Sequence, residues 1–307
     1  MEPADAVRLL DPEIARALSG FTIGTIDAAM LSRLRVAPRP SLGTTDFVER
    51  IDDLAPPNVP VRVHRPRDVQ GLRPGILSIH GGGFVLGSYD TDDEQFERWC
   101  PDLGVIGVSV DYRLAPETPY PGAIDDCYAA LRWLHENATA LGVDAARIGV
   151  CGTSAGGGLA AALALMARDR GDLPLAFQLL EAPMLDDRQR TPSSRLTDLL
   201  IWSKETNEFA WRSYLGDLYG TGEVPRYAAP ARATDLGFLP PAFVSVGSVD
   251  GFRDECVDYA LRLNQAGTPT ELHVYPGAPH GYQLAPESAV ARQGRRDADE
   301  WLCRHVR

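Results

Sequence analysis

RIGVCGTSAGGGLAAALALMARD, residues 147–169, joins two halves that want different structures. Ile148 and Val150 are β-branched and favour a strand. From Ala155 onward, alanine and leucine favour a helix. Between them Ser154 sits at the apex of the turn, with Gly152 and Gly156 two positions to either side. A strand that reverses into a helix over so few residues strains the apex backbone and leaves no room for large neighbours. The turn lifts the Ser154 hydroxyl off the sheet and sets it at a helix N-terminus, where free amides and the positive dipole end face developing negative charge. GTSAG fits the pattern G-x-S-x-G with the strand before and helix after that a nucleophilic serine requires.

The same alternation runs outward from this turn. Strand candidates are VPVRVHRP, PGILSIH, GVIGVSVDY, RIGVCG, FQLLEAPML, PAFVSVG and TELHVYP. Helix-period segments separate several of them: AIDDCYAALRWLHENATAL, the run after Ser154, RDECVDYALRLNQAG and ESAVARQGRRDADEWLCRHV. Near-continuous apolar strands alternating with helices predict an α/β fold, a mostly parallel central sheet with helices on both faces. In such sheets active sites form at the carboxyl ends of the strands. A single domain over 1–307 is expected. Two segments break the alternation, about 1–45 and 187–220, and both are expected to form a small helical cap. The second is amphipathic and aromatic-rich, with Trp202, Phe209, Trp211 and Tyr214. The N-terminal 20 residues read as one amphipathic helix and lack the basic start and apolar run of a signal peptide.

Bulk properties narrow the function. At 307 residues, 44% hydrophobic and 23% charged, the chain describes a globular protein with a large core. Its formal charge of -12 argues against nucleic acid or an anionic membrane as partner. No apolar stretch is long enough to span a bilayer. The five cysteines are scattered, odd in number and free of any C-x-x-C pair. Reduced thiols in a cytoplasmic protein, with neither a metal site nor a disulfide framework, are the expectation.

A second motif is SIHGGGFVLGS, in which a strand runs into Gly81-Gly82-Gly83 after His80. Consecutive glycines let backbone N–H groups approach a substrate oxygen unobstructed, the requirement for an oxyanion hole. Gly82 and Gly83 are assigned as donors together with Ala155, and Gly81 as the hinge.

HGGGF, DYRLAPE, GTSAGG and APHGY, in this order, resemble the bacterial hormone-sensitive-lipase family of α/β-hydrolase esterases. Threonine in GTSAG, where much of the family has aspartate, resembles one subgroup. The resemblance spans nearly the whole chain, presumed cap included. It implies an α/β-hydrolase fold and esterase activity without metal or cofactor; it is also the sole ground for expecting a homodimer.

A serine nucleophile needs a base, and the base an orienting acid. Of six histidines, His280 follows the strand ELHVY directly in the loop APHGY, where it can reach the carboxyl edge of the sheet. His273 lies within that strand, His135 within a helix, His64 in an early strand and His305 near the C-terminus. The resemblance gives His80 a role in shaping the glycine loop. For the acid, Asp250 stands in the loop after AFVSVG, whereas Asp254 and Glu255 fall in the first turn of the next helix, where carboxylates serve the helix dipole. The resemblance also puts the acid at Asp250, and the order Ser154, Asp250, His280 is that of α/β-hydrolases. Glu181 is the rival acid; a hydrogen bond beneath the serine turn, or a buried arginine, is its other reading. In DYRLAPE, the charges of Asp111, Arg113 and Glu117 are read as a salt-bridged brace beside the glycine loop.

The expected chemistry is acyl transfer from a small-molecule ester, of short to medium acyl chain, through Ser154 to water. Phe84, Tyr112, Trp202, Phe252 and Tyr282 are the candidate pocket residues. The same triad serves amidases, lactonases and deacetylases, and nothing in the residues separates these. A catalytically silent small-molecule binding protein is the rival from another class: plant gibberellin receptors resemble the family but lack the histidine that His280 supplies here.

Overall fold

The computed structural model describes residues 6–20, 24–36, 45–68 and 70–307. Eight strands form one sheet in the order β1-β2-β4-β3-β5-β6-β7-β8. They are β1 (Val48–Ala55), β2 (Val59–Pro66), β3 (Arg73–Ile79), β4 (Ile106–Val110), β5 (Val143–Thr153), β6 (Gln178–Glu181), β7 (Ala242–Gly247) and β8 (Thr270–Tyr275). Only β2 runs against its neighbours, pairing antiparallel with β1 and β4; every other pairing is parallel. The seven expected strands are present.

β1 is an eighth, outside the expectation. It is an edge strand whose middle, Glu49 to Leu54, is solvent-facing or half-buried, so its sequence VERIDDLA carries little apolar signal.

The described helices include α1 (Pro12–Ala17), α2 (Ala28–Val36), α3 (Asp93–Leu103), α4 (Gly122–Glu136), α5 (Ala138–Leu141), α6 (Ala155–Arg170), α7 (Lys204–Leu215), α8 (Arg253–Gln265) and α9 (Ala289–His305). Side chains alternate across the sheet as the pleat requires. Leu77, Val150, Leu180 and Val244 face a core shared with Leu131 of α4, Leu163 of α6 and Tyr259 of α8. Their neighbours Ile76, Cys151, Leu179 and Phe243 face a second core with Phe96 and Trp99 of α3 and Trp301 of α9. Each central strand is therefore covered on both sides, the reason its sequence is nearly all apolar.

The N-terminal reading needs correction. In place of one amphipathic helix there is a 3-10 turn, Ala6–Leu9, and then the short α1. Asp11 separates them: its carboxylate accepts the N–H groups of Glu13 and Ile14, capping a new helix that Pro12 opens. The two segments assigned to a cap touch each other. The Ala6 N–H donates to the Thr197 carbonyl at 3.3 Å, and the Ile26 N–H to Thr206 Oγ1 of α7 at 3.0 Å. Residues 1–5, 21–23 and 37–44 of that cap assignment lie outside the described residues. Among the described residues, no helix is long and apolar enough to cross a membrane.

Candidate active site

Ser154 follows β5 directly, Asp250 lies in the loop after β7, and His280 in the loop after β8. Parallel strands deliver all three to one edge of the sheet. The Ser154 backbone has φ 59° and ψ -121°, a strained conformation for a residue with a side chain. Surrounding bonds hold it there: the Ser154 N–H donates to the Glu181 carbonyl at 2.8 Å, and the Ser154 carbonyl accepts from Gly158 and Met184. The flanking glycines are required by space. A Cβ on Gly156 would stand 1.9 Å from the Ile79 carbonyl oxygen, and one on Gly152 would stand 2.3 Å from the Gly156 oxygen.

The His280 Nε2 lies 3.0 Å from Ser154 Oγ, and its Nδ1 lies 2.8 Å from Asp250 Oδ2. A carboxylate only accepts, so Nδ1 carries the proton and Nε2 is left to accept from the serine hydroxyl. Asp250 is itself fixed, since its Oδ1 accepts the Phe252 N–H at 2.8 Å. All three side chains are buried, which strengthens their mutual electrostatics. Such a line can move a proton from the hydroxyl to the ring as Oγ attacks an electrophilic carbon.

The glycine loop lies against this turn: a Cβ on Gly81 would stand 2.9 Å from the Thr153 carbonyl oxygen. Among the described residues, the N–H groups of Gly82, Gly83 and Ala155 make no backbone hydrogen bond outside the helices and strands. The DYRLAPE segment and α2 brace the loop. Ala115 N–H donates to the Phe84 carbonyl, Tyr112 hydroxyl to the His80 carbonyl, and Arg35 to the carbonyls of Val85 and Ala115. The charges are paired: Arg113 clasps Asp126 through two nitrogens, and Glu117 binds Arg35. His80 stacks on Tyr112 at 4.2 Å between ring centres.

The five expected pocket residues divide. Trp202 and Phe252 line a small cleft beside Asp250, and their ring centres stand 6.3 Å and 4.9 Å from that of His280. The Trp202 ring also overhangs Gly83, where a Cβ would meet it at 2.2 Å. The other three rings are taken up by packing. Phe84 stacks on Tyr214 at 4.0 Å, Tyr112 on His80, and Tyr282 sits among Tyr275, Ala278 and Ala291. Standing beside a motif placed them near the site, but their apolar surface is spent on the core. Leu199 and Asn207 line the cleft without having been singled out. Asn207 is buried and accepts the Trp202 indole N–H; a polar residue inside the apolar stripe of α7 was the available signal.

The rival acids are placed elsewhere. Glu181 Oε2 accepts the Thr153 hydroxyl at 3.2 Å, and Asp250 occupies the His280 Nδ1. Asp254 accepts the Ser193 N–H. Glu255, read as serving the helix dipole, is instead buried and accepts the N–H groups of Leu185 and Asp186. Burial pushes its pKa well above the usual carboxylate range.

Comparison with known proteins agrees with this geometry. Residues 76–284 match the family model described as the alpha/beta hydrolase fold. Esterase LipI of Mycobacterium tuberculosis is 39% identical over 91% of this chain and 89% of its own length. Carboxylesterase NlhH of the same organism is 39% identical over 96% of each chain. A solved bacterial heroin esterase superposes with a TM-score of 0.92 at 41% identity, covering 98% of this chain and 99% of that one. Strand order, serine turn and sequence similarity converge: the chain belongs to the α/β-hydrolase fold family, within its bacterial hormone-sensitive-lipase-like branch.

Proposed function

We propose that this protein is a serine carboxylesterase that hydrolyses small-molecule esters of short to medium acyl chain. The observation that carries the reading is the unbroken hydrogen-bonded line from Asp250 through His280 to Ser154. The names borne by the relatives, esterase and carboxylesterase, point to the same bond.

In this reading the His280 Nε2 takes the Ser154 proton as Oγ attacks the ester carbonyl. The N–H groups of Gly82, Gly83 and Ala155 receive the oxyanion, each donor worth roughly 3 kcal/mol of transition-state stabilisation. Asp250 holds the ring in the productive tautomer and stabilises the imidazolium. His280 returns the proton to the departing alcohol, and water then releases the acid by the same steps in reverse roles. Every bond made or broken uses groups of this chain, the ester and water.

The segments 6–20, 24–36 and 187–220 form the cap in this account, and Trp202 and Phe252 bound the acyl or alcohol side of the cleft. The four buried, unpaired thiols Cys100, Cys127, Cys151 and Cys256 favour a reducing compartment, and we place the protein in the cytoplasm.

The test is a matched panel of p-nitrophenyl esters from acetate to decanoate, p-nitroanilides and lactones, with wild type and Ser154→Ala. Ester turnover that peaks at short or medium chains and vanishes in Ser154→Ala is expected. Faster turnover of the anilides or lactones would move the assignment to another bond.

A further inference from the structure

We infer that Arg35, in the last turn of α2, is a positioning residue: its guanidinium holds the glycine loop in the shape that receives the oxyanion, so that the chemistry depends on a docked cap. The inference rests on the serine esterase reading above. It begins with the backbone of the loop. Gly82, Gly83 and Phe84 have φ of 113°, 61° and 64°, three consecutive residues in the left-handed region. Phe84 carries a side chain, so this conformation is strained and persists only where surrounding contacts over-determine it.

Within the loop, the Gly82 carbonyl accepts the N–H groups of Val85 and Leu86 at 3.1 Å and 2.9 Å, which closes the turn on itself. Arg35 ties that turn to its surroundings. Its Nε donates to the Val85 carbonyl at 2.9 Å and its Nη2 to the Ala115 carbonyl at 2.6 Å. Its Nη1 donates to both carboxylate oxygens of Glu117, at 2.7 Å and 2.8 Å. Ala115 completes the clamp, donating its own N–H to the Phe84 carbonyl at 2.9 Å. Acceptors from two separate segments thus converge on one side chain. The planar fork of a guanidinium serves them together, as a single ammonium does not.

The clamp is one side of a closed circuit. Ile26, two residues before α2, donates its N–H to Thr206 Oγ1 of α7 at 3.0 Å. The α7 side returns to the loop at Gly83, where a Cβ would stand 2.2 Å from the Trp202 ring and 3.2 Å from Ala210. Glycine loop, N-terminal helix and cap helix therefore touch pairwise. A shift of the cap reaches the proposed oxyanion donors Gly82 and Gly83 through Arg35 as well as through Trp202.

The experiment compares Arg35→Leu and Arg35→Lys with wild type on p-nitrophenyl acetate. It reads kcat, KM, the thermal midpoint and the affinity of a trifluoromethyl ketone. In the ketone adduct Ser154 Oγ bonds to the carbonyl carbon, His280 takes the serine proton, and the carbonyl oxygen becomes an oxyanion. The matching secondary alcohol forms no oxyanion and reports ground-state binding alone. A misplaced oxyanion donor weakens the transition state and its mimics and spares the ground state. Arg35→Leu should therefore lower kcat about tenfold or more and hold KM within about twofold. It should weaken the ketone by a similar factor and leave the alcohol within about twofold.

Arg35→Lys keeps the charge beside Glu117 without the fork, and it keeps the test decisive if Arg35→Leu folds poorly. It should lose about threefold in kcat and in ketone affinity alike. The inference is overturned if either variant keeps wild-type kcat, if only the thermal midpoint moves, or if kcat falls while ketone affinity holds. Equal weakening of ketone and alcohol would overturn it too. A ketone that binds wild type no more tightly than Ser154→Ala would instead remove the esterase reading, and the clamp with it.

Discussion

The imidazole of His280 and the hydroxyl of Ser154, 126 residues apart in the chain, stand 3.0 Å from each other. Topology closes that distance: β5 and β8 are parallel members of one sheet, so the loops at their carboxyl ends open on the same edge. If the two groups act as one unit, removing either forfeits nearly the whole effect. Ser154→Ala and His280→Ala should each lower kcat on a chromogenic ester by about 10⁴-fold or more, and the double variant by no more than the worse single. Additive losses in steady-state kinetics would count against a shared step.

Asp250 poses a separate question, because it touches the ring and never the substrate. Asp250→Asn keeps the shape but can donate to Nδ1, which favours the tautomer that cannot accept the serine proton. A fall in kcat approaching 10⁴-fold with KM little changed is expected. Retention of most of the activity would shift the orienting role to another group.

Gly82 has φ 113°, and a Cβ there would stand 2.3 Å from the Leu86 carbonyl oxygen. Gly82→Ala must therefore move the loop that carries two of the three proposed oxyanion donors. We expect kcat to fall by about 10²–10³-fold while the far-ultraviolet circular dichroism spectrum stays that of wild type. A variant with normal kcat would remove the Gly82 and Gly83 amides from the chemistry.

His64 of β2 gives a pH signature unrelated to catalysis. It is fully buried, 3.1 Å from Ser109 Oγ and stacked on Phe96. Burial, reinforced by the charges of Arg62 and Arg50, pushes its pKa down to about 3. In an unfolded chain a histidine titrates near pH 6.5. Between these values the unfolded chain binds a proton that the folded chain does not. The contribution of His64 is thus full above about pH 6.5 and is lost as pH falls towards 3. Urea unfolding at pH 7, 6, 5 and 4 should show the stability of wild type relative to His64→Gln declining with pH, by at most about 1.4 kcal/mol per unit. A difference independent of pH would contradict the burial argument.

The serine turn, the glycine loop and the His280 loop are short contiguous motifs, and their placement follows from strand order alone; these were legible in the sequence. The elements that escaped carry weak or mixed signals. β1 is an edge strand with charged residues across its exposed middle. α3 holds Phe96, Trp99, Cys100 and Leu103 at helical spacing, but Pro101 inside the run disguises it. The aromatic residues beside motifs were harder still. Whether Phe84 faces a cleft or a neighbouring ring depends on Tyr214 and Trp211, which the chain brings in from far away. The contact of Glu181 with Thr153 likewise exists only once β5 and β6 are side by side.

Hydrolysis through Ser154 requires a covalent bond to its Oγ. Rapid-quench mass spectrometry during turnover of a p-nitrophenyl ester tests it most directly. An acyl adduct is expected on the peptide that contains Ser154, formed as fast as p-nitrophenol is released and absent in Ser154→Ala. Steady turnover with no adduct on Ser154, or with the acyl group on another residue, would contradict it.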